Sequence, residues 1–185
     1  MPGARAGSLR LFFGLLPDAR VRRRIVSLRN RLNVSGREVP AANFHVTLAF
    51  LGSVPSSRQG TLGSLASTLR CSAGQVRLDR IGSFPRARVA WLGIDRPPAF
   101  LADFRARLVG GLRDEGFSVD LRRWTPHVTL YRKLRTPCEN LLIDPVIWPV
   151  REFALLASET GPGGVCYRVK DRWSCGPTGQ SPGAA

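Results

Sequence analysis

Apolar and polar positions change period along the chain, and each change predicts an element. Leu9 to Leu15 is rich in Leu and Phe and predicts a buried strand. Pro17-Asp18 then opens a helix. Val21, Ile25, Leu28 and Leu32 share one face, arginines take the other, and Gly36 ends it. A loop containing Pro40 leads into a strand from His45 to Leu51, stopped by Gly52. A helix starting near Ser56 puts Leu62, Leu65 and Leu69 on one side, although Gly60 and Gly63 weaken it. Gln75 to Ile81 alternates as a strand, Gly82 to Pro85 reads as a turn, and Val89 to Ile94 reads as a strand. Pro97-Pro98 opens a third helix, with Leu101, Phe104, Leu108 and Leu112 in step and Gly116 at its end. Trp124-Thr125-Pro126 leads into a strand beginning at His127. Phe153 to Ser158 and Val165 to Trp173 pair as a hairpin across Gly161-Pro162-Gly163-Gly164.

The order strand, helix, Pro-containing loop, His strand occurs at 9–51 and again at 89–132, which predicts an internal duplication. The fold class is α+β: two lobes related by a pseudo-twofold, antiparallel sheets facing a central cleft, helices outside. One bilobal domain is expected over 8–175, with 1–7 and 176–185 disordered. The length of 185 residues suits one such domain.

Other classes are disfavoured. The apolar run from Leu9 to Leu16 follows Arg5, as a signal peptide would. It is short, is broken by Arg10, and lacks a small-residue cleavage site. No stretch is long enough to span a membrane. The four cysteines, Cys71, Cys138, Cys166 and Cys175, have no CxxC spacing. They read as free thiols in a reducing compartment, which with the missing leader points to the cytoplasm; the spacing leaves a disulfide open.

Charge adds a partner. There are 28 basic residues against 13 acidic, a net charge of +15. Such a surface gathers polyanions by long-range attraction. Only Lys133 and Lys170 are lysines, a skew that a GC-rich genome would also produce, so charge alone does not say which arginines matter.

The chemistry lies in a repeated phrase. The chain has only two histidines, in His45-Val46-Thr47-Leu48 and His127-Val128-Thr129-Leu130. On a strand, His and Thr project from one face and Val and Leu from the other. One copy would read as a half-buried strand end. Two copies, with no other histidine, predict a shared acid/base site. Histidine titrates near neutrality, so one imidazole can be neutral and the other protonated. One takes a proton from the attacking group and the other gives one to the leaving oxygen. Thr47 and Thr129 hydroxyls can hydrogen-bond phosphate oxygens as charge grows. Neither histidine has metal-ligand spacing, and no metal or other cofactor is expected.

With these phrases on the page, the chain resembles the 2H phosphoesterase superfamily. More narrowly it resembles the RNA 2′,3′-cyclic phosphodiesterases, historically called 2′-5′ RNA ligases. The resemblance rests on Arg10-Leu11-Phe12-Phe13-Gly14, Asn43 to Gly52, Val89-Ala90-Trp91-Leu92-Gly93, Pro126 to Arg132 and Tyr167 to Trp173. It covers nearly the whole chain. It implies opening of an RNA 2′,3′-cyclic phosphate to a 2′-phosphate, with weak reversible 2′-5′ ligation as a side activity. By that analogy His45 is the general acid on the 3′-oxygen and His127 the general base on water, although the two near-symmetric motifs do not themselves assign the direction. It also implies substrate roles for Phe50 and Arg132. Phe50 would stack on the terminal base, and Arg132 would meet phosphate or base. Strict alternation puts both on the face opposite the histidines, so they reach the cleft only if the strand bulges, bends or ends.

RNA ends, including tRNA-derived ones, are the expected partners of a monomer, with no membrane and no obligatory protein partner. Two alternatives remain at this level. One is a 2H enzyme acting on a small cyclic nucleotide or cyclic ADP-ribose phosphate. The other is an RNA-binding module without catalysis, which the intact His and Thr residues disfavour.

Overall fold

The computed structural model describes residues 7–161 and 164–176. The chain runs β1 (Ser8–Leu15), α1 (Ala19–Arg29), β2 (Arg37–Glu38), β3 (Val46–Pro55), α2 (Gln59–Thr68), β4 (Gly74–Phe84) and β5 (Val89–Gly93). It continues through α3 (Ala99–Asp114), β6 (His127–Arg132), β7 (Leu141–Val150), β8 (Glu152–Gly161) and β9 (Gly164–Ser174). The strands form two sheets, ordered β3-β1-β8-β9 and β2-β6-β5-β4-β7, and all strand pairs in them are antiparallel. The expected α+β class and paired antiparallel sheets are both present.

The helices are exchanged between the two halves. α1 follows β1 of the first sheet but packs against β7 of the second. α3 follows β5 of the second sheet but packs against β3 of the first. One apolar cluster therefore runs through both halves, taking in Phe13 and Phe153, Leu78 and Leu92, and Phe104 and Leu108 of α3. The Asp18 carboxylate caps α1 by accepting from the Val21 N–H at 2.8 Å, satisfying one of its free first-turn donors. Leu101, Phe104, Leu108 and Leu112 are fully buried along α3, as their spacing predicts.

Several boundaries differ from expectation. α1 ends at Arg29, before Gly36, and Leu32 packs on the core from the segment beyond it. Gly52 does not stop β3. It takes φ +68, a left-handed conformation open to glycine, and pairs with Leu11 while the strand runs on to Pro55. The Gly82 turn is also corrected: β4 continues to Phe84, and Gly82 faces Trp91 across the ladder. A Cβ at Gly82 would lie 2.4 Å from the Trp91 ring, so the glycine is there to admit the indole. β7 was not anticipated, because Pro145 and Pro149 interrupt its pattern. It lies at a sheet edge, where a missing N–H is tolerated.

The free-thiol reading fails for one pair. Cys71 and Cys175 are disulfide-bonded across 104 residues, while Cys138 and Cys166 are free. Spacing gave no hint, because the pair is made by the C-terminal end of β9 returning beside the α2–β4 connection, where Gly176 bridges Ser72. The segments expected to be disordered lie outside the described residues except at Gly7 and Gly176. Gly7 O accepts from the Ser56 N–H at 2.9 Å, and Gly176 N–H donates to Cys71 O at 2.8 Å. Among the described residues no helix is long and apolar enough to cross a membrane.

Candidate active site

β3 and β6, the two His strands, approach each other across the junction of the sheets. Each imidazole is held the same way. His45 Nδ1 lies 2.8 Å from Asn43 O, and His127 Nδ1 lies 2.7 Å from Thr125 O. A carbonyl only accepts, so both Nδ1 atoms carry the proton and both Nε2 atoms are left as the reactive nitrogens. Each ring also sits between two aromatic side chains. Phe12 and Tyr167 flank His45 at centroid distances of 4.9 and 4.7 Å, and Phe84 and Trp91 flank His127 at 5.0 and 6.2 Å.

This apolar setting governs the titration. Burial pulls the His45 imidazole down from 6.5 to about 4; the Asn43 carbonyl opposes this, and the charges of His127 and Arg132 add to it. Burial likewise lowers His127, opposed by the Thr125 carbonyl and assisted by Arg132. The two histidines and Arg132 therefore share one electrostatic field, and burial in it favours neutral imidazoles.

The strand-phase objection is resolved by two matching bulges. Thr47 pairs with Gly14 and Ala49 with Phe13, leaving Leu48 as an extra residue in β3. Thr129 pairs with Trp91 and Tyr131 with Ala90, leaving Leu130 as an extra residue in β6. Leu48 and Leu130 hold the same place in the two phrases. Each bulge reverses the alternation behind it, so the fifth residue after each histidine returns to the histidine face. Arg132 accordingly acts on both imidazoles, and Phe50, 38% exposed, lines a cavity of about 600 Å³ together with Thr47 and His127. Thr129 keeps phase with His127 and is half-buried.

Side chains from the second half hold the bulged segment of β3. Trp124 Nε1–H donates to Thr47 O at 2.9 Å, and Arg105 Nε–H donates to Leu48 O at 3.0 Å. The Arg105 guanidinium also lies over the Trp124 ring, 4.9 Å from its centroid.

The expected substrate residues do not share one cavity. Arg132 lines a second one, of about 310 Å³, with Asn43 and Tyr167 on the His45 side. Tyr131, beside it, turns into the core and donates to Arg29 O at 3.1 Å. Phe12, Trp91 and Tyr167 fall within phrases that carry the family resemblance, but sequence alone gives neither them nor Phe84 a place in the site, because aromatic residues on strands read as packing. Only the strand pairing brings them to the histidines. Among the described residues no three His, Cys, Asp or Glu side chains converge as a metal-binding group.

Residues 17–162 match the family model of the 2′-5′ RNA ligase superfamily. An RNA 2′,3′-cyclic phosphodiesterase of Escherichia coli K12 is 34% identical over 171 residues, covering 89% of this chain and 96% of that protein. A Thermus thermophilus protein of the same name is 30% identical, covering 90% of each. E. coli LigT crystallised with 3′-AMP superposes with a TM-score of 0.84 at 32% identity, covering 91% of this chain and 98% of that one. With its doubled His-x-Thr strands and these relatives along nearly its full length, the chain belongs to the 2′-5′ RNA ligase superfamily.

Proposed function

We propose that this enzyme is an RNA 2′,3′-cyclic phosphodiesterase that opens the ring to a 2′-phosphomonoester by two-histidine acid/base catalysis. The enzyme class is that of relatives matching nearly the whole chain. The observation that carries the mechanism is the like presentation of two Nε2 atoms, each behind an Nδ1–H held by a backbone carbonyl.

His127 Nε2 takes a proton from water, whose oxygen attacks phosphorus. The P–O3′ bond breaks, and His45 Nε2–H protonates O3′. The phosphate remains on the 2′-oxygen, and solvent exchange resets the two protons. The acid role of His45 is carried from the family resemblance. Burial holds the His45 imidazole below its ordinary value, and an anionic phosphate beside it favours the charged form, so His45 takes up its proton together with the substrate. Thr47 and Thr129 hydroxyls donate to the non-bridging oxygens, and Arg132 balances their charge. These donors suffice without a metal ion. With a 5′-hydroxyl in place of water, the same steps join two RNA ends through a 2′-5′ linkage, as the slow side reaction.

The test is a short RNA ending in a 2′,3′-cyclic phosphate, incubated in EDTA, with the product end identified by phosphorus NMR. A 2′-phosphate is expected. A 3′-phosphate would refute the choice of leaving oxygen. No turnover of this RNA, with turnover of a small cyclic nucleotide, would favour the small-substrate alternative.

A further inference from the structure

Among the described residues only two non-glycine residues have positive φ, Arg88 at 53° and Lys133 at 55°. This conformation costs L residues free energy and persists where the surroundings enforce it. Here they do. Arg88 and Lys133 lie at adjoining ends of β5 and β6, locked by Leu134 N–H to Arg88 O at 3.1 Å and Arg88 Nε–H to Leu134 O at 2.7 Å. Both line the 310 Å³ cavity beside His45, with Arg37 and Arg132. The one acidic residue in that wall, Glu38, is paired with Arg29 Nη2 at 2.8 Å. Four cations thus border a small cavity whose only carboxylate is already neutralised. Tyr167 forms the shared wall, packing T-shaped against the His45 ring at 4.7 Å and also lining the cavity.

We infer that this cavity is a subsite for the phosphodiester upstream of the cyclic end, making the enzyme a reader of RNA chains and not of mononucleotides. The inference rests on the proposed RNA-end activity and deepens it. A cyclic mononucleotide has one phosphate, which occupies the histidine pair and leaves these cations unused. An oligonucleotide brings a second phosphate, one nucleotide away. Arg132 lies between the two places, since its charge reaches both imidazoles while its side chain lines the cavity.

The test compares cytidine 2′,3′-cyclic phosphate with a tetranucleotide ending in the same group, using wild-type protein, Lys133→Gly and Arg37→Gln. Glycine removes the Lys133 charge and also relieves its left-handed backbone, so a purely structural lysine would leave turnover unchanged or the protein more stable. The wild type is expected to prefer the tetranucleotide by about tenfold or more in kcat/KM. Lys133→Gly and Arg37→Gln should each reduce tetranucleotide kcat/KM by about fivefold, mainly through KM, and leave the mononucleotide unchanged. Each should also shallow the dependence of log kcat/KM on log salt by about 0.7, the value for one single-strand phosphate contact. Equal wild-type use of both substrates, or variants that affect both equally, would overturn the subsite. Failure of the wild type to open either substrate would instead overturn the proposed activity.

Discussion

Trp124 donates its indole N–H to the carbonyl of Thr47 at 2.9 Å, tying the loop that delivers His127 to the strand that follows His45. The bond sits where β3 begins to bulge and sets the spacing of the two motifs. A one-ångström misplacement of catalytic groups is enough to cost orders of magnitude in rate. Trp124→Phe keeps the ring and removes the donor. It should lower kcat by about tenfold or more with little change in circular dichroism or thermal midpoint. An unchanged kcat would remove this bond from the account.

The active form carries one proton on the histidine pair. Because both imidazoles are lowered, His45 to about 4, the profile of kcat/KM against pH should be a bell lying below pH 6.5. The acid limb falls where both rings become protonated, and the alkaline limb where both are neutral. Arg132→Gln removes a charge that lowers both groups, so both limbs should move to higher pH while kcat/KM falls. A bell centred above 7, or limbs unmoved by Arg132→Gln, would contradict the described field.

The same shifts act on stability. A group lowered on folding contributes stability that is complete above its unfolded value and lost as pH falls through its folded value. For His45 the window runs from 6.5 down to about 4, and full charging costs about 3 kcal/mol. Thermal midpoints should therefore drop between these values, and drop less in His45→Asn.

The direction of proton transfer can be read with a sulfur leaving group. An RNA whose cyclic phosphate bears sulfur at the 3′ position needs little protonation of the leaving atom. His45→Ala should process it at nearly the wild-type rate, whereas His127→Ala should stay slow. The reverse pattern would exchange the two roles.

Cys71–Cys175 closes a span of 104 residues, and such a loop restricts the unfolded chain by about 4–5 kcal/mol on the entropy account. Reduction, or Cys175→Ser, should lower the thermal midpoint by several degrees or more. No difference between oxidised and reduced protein would mean the pair is not joined in solution.

Periodicity made α1, α3 and most strands legible, because the apolar face it marks is the one they bury; α2 fits less well, since it ends at Thr68 before the expected Leu69 and buries only Leu62 and Ala66. The histidine and threonine pairs were legible because the phrase is doubled in a chain with no other histidine. The return of Phe50 and Arg132 to the cleft was not, since it depends on bulges at Leu48 and Leu130 that exist only in strand pairing. The aromatic walls were hidden for a similar reason. Phe12 and Tyr167 reach His45 from β1 and β9, elements far apart in sequence, and only the sheet order joins them. Gly82 read as a turn because its role, room for Trp91, is a property of the neighbouring strand.

The central claim is that His45 and His127 work as one acid/base unit. It is tested most directly by single-turnover opening of an RNA 2′,3′-cyclic phosphate by wild type, His45→Ala, His127→Ala and the double variant, with RNA binding measured alongside. Each single variant should lose about 10²–10⁴ in rate while still binding RNA, and the double variant should lose little more than either single one. A wild-type rate in either single variant would contradict the account.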